Sequence, residues 1–163
     1  MKIFETAIIS QKPAFLAELT SFLKLDEERI LDIDVYRLEL AEDFIILLYD
    51  LDPEVRLPEE VIEHLRPHLS ALLVITDGNF SEMRPSGISM IDELAKALPE
   101  VPAIVAVRRE TELRAGAAAF VRESGLYLSE SGRILYWHPA DNASKQRVFR
   151  MLWKQLREVP EPA

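Results

Sequence analysis

The chain has no cysteine, only five glycines, and no apolar run long enough to cross a bilayer. The absence of cysteine excludes disulfide bonds, thiolate catalysis and thiolate metal sites. A membrane-spanning helix needs roughly 18 to 20 predominantly apolar residues, and the opening residues Met1 to Phe4 lack the basic start and apolar core of a signal peptide. We therefore expect a cytoplasmic protein that does not associate with a membrane.

The chain also lacks an excess of positive charge. Lys and Arg total 19 against 28 Asp and Glu, which gives a formal charge of −9. Nucleic acids and anionic lipids are bound through cationic side chains that replace their counterions, so an acidic surface opposes both. We therefore expect no nucleic-acid partner, and the acidic composition does not by itself indicate any other partner.

The length and composition predict one globular domain. A chain of 163 residues that is 48% hydrophobic is long enough to bury a core but short for two domains. We place this domain at residues 1–158. Residues 159–163, which contain two prolines, are expected to form a flexible C-terminal tail.

Short apolar runs alternate with segments of helical periodicity along the chain. Strands are predicted at residues 3–9, 30–40, 44–49, 71–76, 103–107 and 134–137. Helices are predicted at residues 13–24, 58–66, 87–98, 111–123 and 142–157. Pro13 suits the first position of the first helix, and Asp141 or Asn142 can cap the last. This alternation predicts an α/β three-layer sandwich, with a six-stranded, mostly parallel sheet, one antiparallel edge hairpin, and helices on both faces.

Four segments of the chain resemble, in order and position, the motifs of one family of nucleotide-binding proteins. Residues 11–15, Gln-Lys-Pro-Ala-Phe, stand at the position of Gly-Lys-Ser/Thr-Thr-Phe, and Asp50 and Asp52 stand at the Asp-x-x-Gly turn. The strand that ends before Asp77 is similar to the family strand ending in Val-Asp. Residues 101–111 resemble the strand and guanine motif Pro-Val-Val-Val-Ala-Val-Asn-Lys-x-Asp. The chain thus resembles the Ras-like superfamily, and within it the prokaryotic MglA-like group, which implies a P-loop GTPase-like fold.

The motifs lack the residues that bind nucleotide and Mg²⁺ in the family. A phosphate loop wraps the β-phosphate with consecutive backbone N–H groups that glycine permits, and its hydroxyl ligates Mg²⁺. Here the loop is about five residues shorter than that pattern, contains no glycine, and has Pro13 and Ala14 at the hydroxyl position. Arg108 and Thr111 replace the Asn and Asp that recognise guanine. We therefore predict a catalytically inactive pseudo-GTPase, with no cofactor and no metal, that does not bind nucleotide and acts as a protein-interaction or regulatory module.

The motif positions are expected to meet at one end of the sheet. In the Ras-like strand order the second strand of the hairpin, the first strand and the Ala71 strand lie side by side, and open α/β sheets bind ligands at the ends of such strands. The degenerate nucleotide-site positions are Lys12, Asp50, Asp52, Asp77, Arg108 and Thr111. We hypothesise that Lys12 pairs with one or more of the three aspartates, in the place of phosphate and metal. The alternative is that these side chains all point into water, where such pairs contribute little.

Two segments are candidate partner-binding surfaces. Phe80 and Met83 fall in a polar loop bounded by glycines, where large apolar side chains need a partner or burial under a neighbouring helix. Val55 and Leu57 lie where the family has its partner-reading switch. The resemblance implies a Roadblock-type dimer or an active small GTPase as the partner.

Two other functions fit parts of the pattern. A divergent GTP- or ATP-binding small GTPase would rely on Lys12 and on Asp50 or Asp52. A receiver-like signalling domain would use Asp50 and Thr76, but such domains need acidic residues after the first strand and a lysine where Arg108 stands.

Overall fold

The structure is a computed structural model that describes residues 1–30, 32–52, 63–78, 101–110 and 133–158. In chain order, its strands and helices are β1 (Lys2–Ser10), α1 (Pro13–Leu19), β2 (Asp26–Ile30), β3 (Ile33–Ala41), β4 (Phe44–Leu51), β5 (Leu69–Thr76), β6 (Ala103–Arg108), β7 (Arg133–Trp137) and α2 (Asn142–Glu158). Among the described helices, none has the length and apolar character needed to span a membrane.

The strands form one mixed sheet in the order β2-β3-β4-β1-β5-β6-β7. β2, β3 and β4 pair antiparallel, and all pairs from β4 to β7 are parallel. The prediction of a mostly parallel α/β sheet with an antiparallel edge is therefore confirmed. So is the expected adjacency of the strands now labelled β4, β1 and β5, which brings the ends of these three strands to one edge of the sheet.

The predicted count of six strands is wrong, because the sheet has seven. The sequence predicts one strand over residues 30–40, but the chain reverses within it, and Ile30 pairs with Ile33. Asp32 adopts a positive φ of 62° in this reversal, a conformation that Asp tolerates better than most residues. The additional strand, β2, has the sequence Asp-Glu-Glu-Arg-Ile and lacks the apolar alternation by which a strand is recognised. The antiparallel edge is therefore a three-stranded unit.

Both faces of the sheet are covered in its parallel part. β5 and β6 are buried over almost their whole lengths, which is why their sequences are continuous apolar runs. One core cluster joins one face of the sheet to α1 and α2. The cluster on the other face includes Leu65, which comes from helical residues 63–65. The helices predicted at residues 87–98 and 111–123 lie outside the described residues.

Helix α1 begins as predicted but ends earlier. Pro13 occupies the first helical turn, where its missing N–H costs nothing. The helix stops at Leu19, and not at residue 24, because the hydrogen bonds tighten there: the N–H groups of Ser21 and Leu23 donate to carbonyls three residues back. The Thr20 hydroxyl donates to the Leu16 carbonyl at 2.8 Å, and the Ser21 hydroxyl donates to the Glu18 carbonyl at 2.9 Å.

Helix α2 is capped by Asp141, one of the two predicted residues. The Asp141 carboxylate accepts a 3.0 Å hydrogen bond from the Ala143 N–H in the first turn. The Ser144 hydroxyl donates to the Asp141 carbonyl at 2.7 Å and accepts from the His138 N–H at 2.9 Å. The cap therefore also fixes the approach of the chain from β7.

We expect Asp141→Ala to lower the free energy of unfolding by about 1 kcal/mol, because the N–H groups of the first turn lose an acceptor. Asp141→Asn keeps an oxygen at the same position and should cost only a few tenths of a kcal/mol. Urea denaturation of the two variants measures the difference. Equal losses would show that the charge of Asp141, and not its hydrogen bond, stabilises α2.

Candidate functional site

The connection from β1 to α1 is two residues long. β1 ends at Ser10 and α1 begins at Pro13, so only Gln11 and Lys12 lie between them. Lys12 is extended, with φ −131° and ψ 140°, and its carbonyl accepts from the Ser10 hydroxyl at 2.6 Å and from the Phe15 N–H at 3.0 Å. The short connection is thus closed by hydrogen bonds within its own segment.

The side chain of Gln11 joins the end of β1 to the end of β5. Its carboxamide oxygen accepts from the Thr76 hydroxyl at 2.7 Å and from the Asp77 N–H at 3.0 Å. The Gln11 N–H also donates to the Ile75 carbonyl at 2.8 Å. The Thr76 hydroxyl in turn accepts from the N–H of Gly78, whose φ of 86° suits glycine. Two consecutive backbone N–H groups after β5 therefore donate to side-chain oxygens of the protein itself.

Sequence reasoning did not identify Gln11 as a site residue. It treats this position only as the place of a lost glycine. One feature of the sequence could have indicated its role: a neutral, hydrogen-bonding side chain in a two-residue connection directly after a buried strand. The identity of its partner was not available from spacing, because Thr76 lies 65 residues away.

Arg108, at the end of β6, is held by an ion pair with α1. Its guanidinium nitrogens lie 2.6 and 3.2 Å from the two carboxylate oxygens of Glu18, and a third nitrogen lies 2.9 Å from Glu110. The guanidinium carbon also stands 5.0 Å from the centroid of the Phe15 ring. The hydrogen bonds to Glu18 raise the pKa of Arg108, and the two-pronged geometry fixes its orientation. Glu18 is a second site residue that the sequence analysis missed.

A concentration of acidic side chains occupies the β3–β4 side of the same edge. Asp34 and Asp50 are directly opposite each other on the antiparallel pair of strands, and Asp52 follows β4. Burial raises the pKa of Asp50 from 3.8 to about 6, and the negative charges of Asp34 and Asp52 add to this effect. Arg29 lies 3.5 Å from Asp34 and offsets part of the repulsion.

The structure brings some of the predicted positions together and leaves others undescribed. Lys12, Asp50, Asp52, Asp77 and Arg108 follow or end four neighbouring strands at one edge of the sheet. The predicted partner-binding residues and the last nucleotide-site position lie outside the described residues: Val55, Leu57, Phe80, Met83 and Thr111.

The hypothesis for Lys12 stays a prediction. Its ammonium nitrogen lies 5.6 Å from the centroid of the Phe15 ring, and the Arg108 guanidinium carbon lies 5.0 Å from the same centroid. The ion pairs at the same edge include those of Arg108 with Glu18 and Glu110 and that of Arg29 with Asp34.

The described residues contain no group of three or more His, Cys, Asp or Glu arranged to hold a metal ion. No protein-family model matches the chain, and neither does any curated protein.

We expect Gln11→Ala to lower the free energy of unfolding by about 1–3 kcal/mol, because the buried Thr76 hydroxyl and the Asp77 N–H both lose their acceptor. Gln146, an exposed residue of α2, provides the matched control. Gln146→Ala should change stability by less than about 0.5 kcal/mol. Urea denaturation of both variants tests the difference, and equal stabilities would mean that the Gln11 carboxamide does not support the strand ends.

We expect Asp50→Asn to stabilise the protein at pH 8 and to have almost no effect near pH 4. A raised pKa means that the folded state binds the proton of Asp50 more tightly than the unfolded state does. The ionised form therefore destabilises the fold above about pH 6, and this penalty disappears as the pH falls towards 3.8. Because Asp50 is only half-buried, we expect a gain of about 1–2 kcal/mol at pH 8.

The matched control for this experiment is Asp43→Asn, at an exposed position in the β3–β4 turn. Denaturation of the wild type and both variants between pH 4 and pH 8 provides the measurement. If Asp50→Asn changed stability equally at all pH values, the effect would not come from the titration of this carboxyl.

Proposed function

We propose that the protein is a pseudo-GTPase: a cytoplasmic, GTPase-like domain that does not bind nucleotide and acts by binding another protein. The observation that carries the proposal is the bridge from the Gln11 carboxamide to Thr76 and Asp77. It lies at the strand ends where a nucleotide-binding relative would keep its phosphate loop. The sheet order supports the comparison, because a parallel array flanked by antiparallel strands is the arrangement that the Ras-like resemblance implies.

The β1–α1 connection is unsuited to phosphate for two reasons. A phosphate loop presents several backbone N–H groups from a glycine-rich turn, and two residues are too few to form such a turn. The neighbouring N–H groups of Asp77 and Gly78 already have acceptors in Gln11 and Thr76. A phosphate oxygen would have to displace these contacts before it could bind.

The position that resembles the guanine motif is also unsuited to its ligand. Guanine offers a ring N–H and an exocyclic amine, so a protein must present an acceptor to recognise it. Arg108 has only donors, and they are oriented by Glu18 and Glu110. The two sites support the same proposal independently, because one concerns the phosphates and the other concerns the base.

For a domain that binds no nucleotide, the resemblance offers a protein-binding role. The candidate partner-binding residues are Val55, Leu57, Phe80 and Met83. The partner is a Roadblock-type dimer or an active small GTPase, and either would be tested by binding of the purified proteins.

Thermal unfolding with and without nucleotide tests the proposal directly. A ligand present at 100 times its dissociation constant stabilises a protein by about 2.7 kcal/mol. We expect no shift of the melting temperature with GTP, GDP or ATP in the presence of Mg²⁺, because the Gln11 bridge and Arg108 leave neither phosphates nor base a complete site. An active small GTPase assayed in parallel is the positive control.

A saturable rise in melting temperature with GTP or ATP would contradict the proposal and favour a divergent nucleotide-binding GTPase. A rise with beryllofluoride and Mg²⁺ alone would favour the receiver-like alternative.

A further inference from the structure

The net charge of the protein is concentrated in one part of the sheet. Residues 26–52, which contain β2, β3 and β4, hold 10 of the 28 acidic side chains and only two of the 19 basic ones. Their formal charge is −8, whereas the rest of the chain, with 18 acidic and 17 basic side chains, is nearly neutral. We call residues 26–52 the acidic flank.

Eight of the 10 acidic side chains of the acidic flank are exposed, and the other two, Asp34 and Asp50, are half-buried. Asp26, Glu27 and Glu28 are exposed on β2, which is the outermost strand on its side of the sheet. Glu42 and Asp43 are exposed in the β3–β4 turn.

The two basic residues of the flank are already engaged within it. Arg29 lies 3.5 Å from Asp34, and Arg37 lies 3.4 Å from Glu39. The flank therefore keeps a negative net charge, and most of its acidic side chains are exposed.

Helix α2 carries the opposite charge. Arg147, Arg150, Lys154 and Arg157 are exposed and follow one another at intervals of three, four and three residues. A helix has about 3.6 residues per turn and rises about 1.5 Å per residue, so the four cations form one stripe roughly 15 Å long. We call these residues the basic stripe. The stripe faces away from the sheet, because the opposite side of α2 is buried in the core.

The contacts of the basic stripe within the described part of the chain are with neutral groups. Arg157 lies over the ring of Trp153, 5.8 Å from its centroid, and Arg150 approaches the Gln146 carboxamide oxygen at 3.5 Å. The protein therefore presents an acidic surface and a basic surface on different elements. A molecule with two complementary surfaces has a ready partner in a second copy of itself.

We propose that the basic stripe docks onto the acidic flank of a second copy of the protein. The charges are complementary, because four exposed cations of the stripe are available for the exposed acidic side chains of the flank. The overall charge of −9 does not prevent the contact. At physiological ionic strength the Debye length is about 8 Å, so facing patches interact locally and distant charges are screened.

The contact joins two different surfaces, so it is heterologous. Two copies related in this way leave one stripe and one flank unused unless their rotation closes a ring. A contact made mainly by exposed charges is expected to be weak and sensitive to salt. The proposal goes beyond the proposed function, because it depends on exposed charges and is tested at Glu27, Glu28, Arg150 and Lys154, none of which is a predicted nucleotide-site position.

Sedimentation velocity of the wild type over a range of concentrations tests the proposal. At about 50 mM salt the sedimentation coefficient should rise with protein concentration. At about 500 mM salt the Debye length is roughly a third of its value at about 50 mM, so the rise should disappear. A wild type that remains monomeric at low salt up to the highest concentration would overturn the proposal.

Charge reversal identifies the surfaces. The stripe variant is Arg150→Glu/Lys154→Glu, and the flank variant is Glu27→Lys/Glu28→Lys. Each alone should weaken self-association about tenfold or more, because repulsion replaces attraction at the contact. Mixed together, the two should associate again, because the intact flank of the first meets the intact stripe of the second.

The matched control is Arg66→Glu/Arg133→Glu, which makes the same charge change as the stripe variant at exposed positions outside both surfaces. It should associate like the wild type. All substituted positions are exposed, so circular dichroism melts should confirm that every variant is folded. Failure of the mixture to associate, or loss of association in the control, would show that net charge and not the paired surfaces governs the behaviour.

Vesicles with and without phosphatidylserine test the competing occupant of the stripe. The proposal would be overturned if the wild type bound the anionic vesicles and did not self-associate, and if the stripe variant no longer bound them. That result would assign the stripe to a lipid surface. Thermal unfolding of the same variants with GTP and Mg²⁺ tests the proposed function separately, because it measures nucleotide binding and not self-association.

Discussion

The arrangement of the strand ends depends on one side-chain oxygen. β1 lies between β4 and β5, and the chain leaves it through only Gln11 and Lys12 before α1 begins. The carboxamide oxygen of Gln11 satisfies a hydroxyl and a backbone N–H at the end of β5. A donor left without an acceptor in this buried region would cost more than an ordinary hydrogen bond contributes. The Gln11 side chain, which reaches the end of β5, therefore supplies the acceptor that the two-residue connection needs beside a buried strand.

The two sides of this edge differ in their electrostatics. On the β6 side, Arg108 is surrounded by Glu18, Glu110 and the face of Phe15, so its charge is compensated within the fold. On the β3–β4 side, Asp50 faces Asp34 across the strand pair, and burial adds to the cost of ionising it. The first arrangement links α1 to the sheet. The facing aspartates repel each other within the antiparallel strands, and these strands also contain most of the excess negative charge of the protein.

The sequence was sufficient for those parts of the fold that depend on local pattern. β5 and β6 are continuous apolar runs because both of their faces are buried, and Pro13 marks the start of α1. β2 was missed because an exposed edge strand has no buried face to impose alternation. The site was harder to predict, since it depends on contacts between distant segments. Gln11 meets Thr76 across 65 residues and Arg108 meets Glu18 across 90, so neither spacing nor composition identifies these pairs.

A nucleotide site must keep donors and cations available until the ligand arrives, and this availability reduces the stability of the empty protein. At this edge the N–H groups of Asp77 and Gly78 and the guanidinium of Arg108 have acceptors within the chain. The contact of Asp77 joins the end of β5 to the β1–α1 connection, and the contact of Arg108 joins β6 to α1. Other charges, on β2, in the β3–β4 turn and on the basic stripe of α2, are exposed. We therefore expect recognition by this protein to use these exposed surfaces, because the contacts of Gln11 and Arg108 serve the fold.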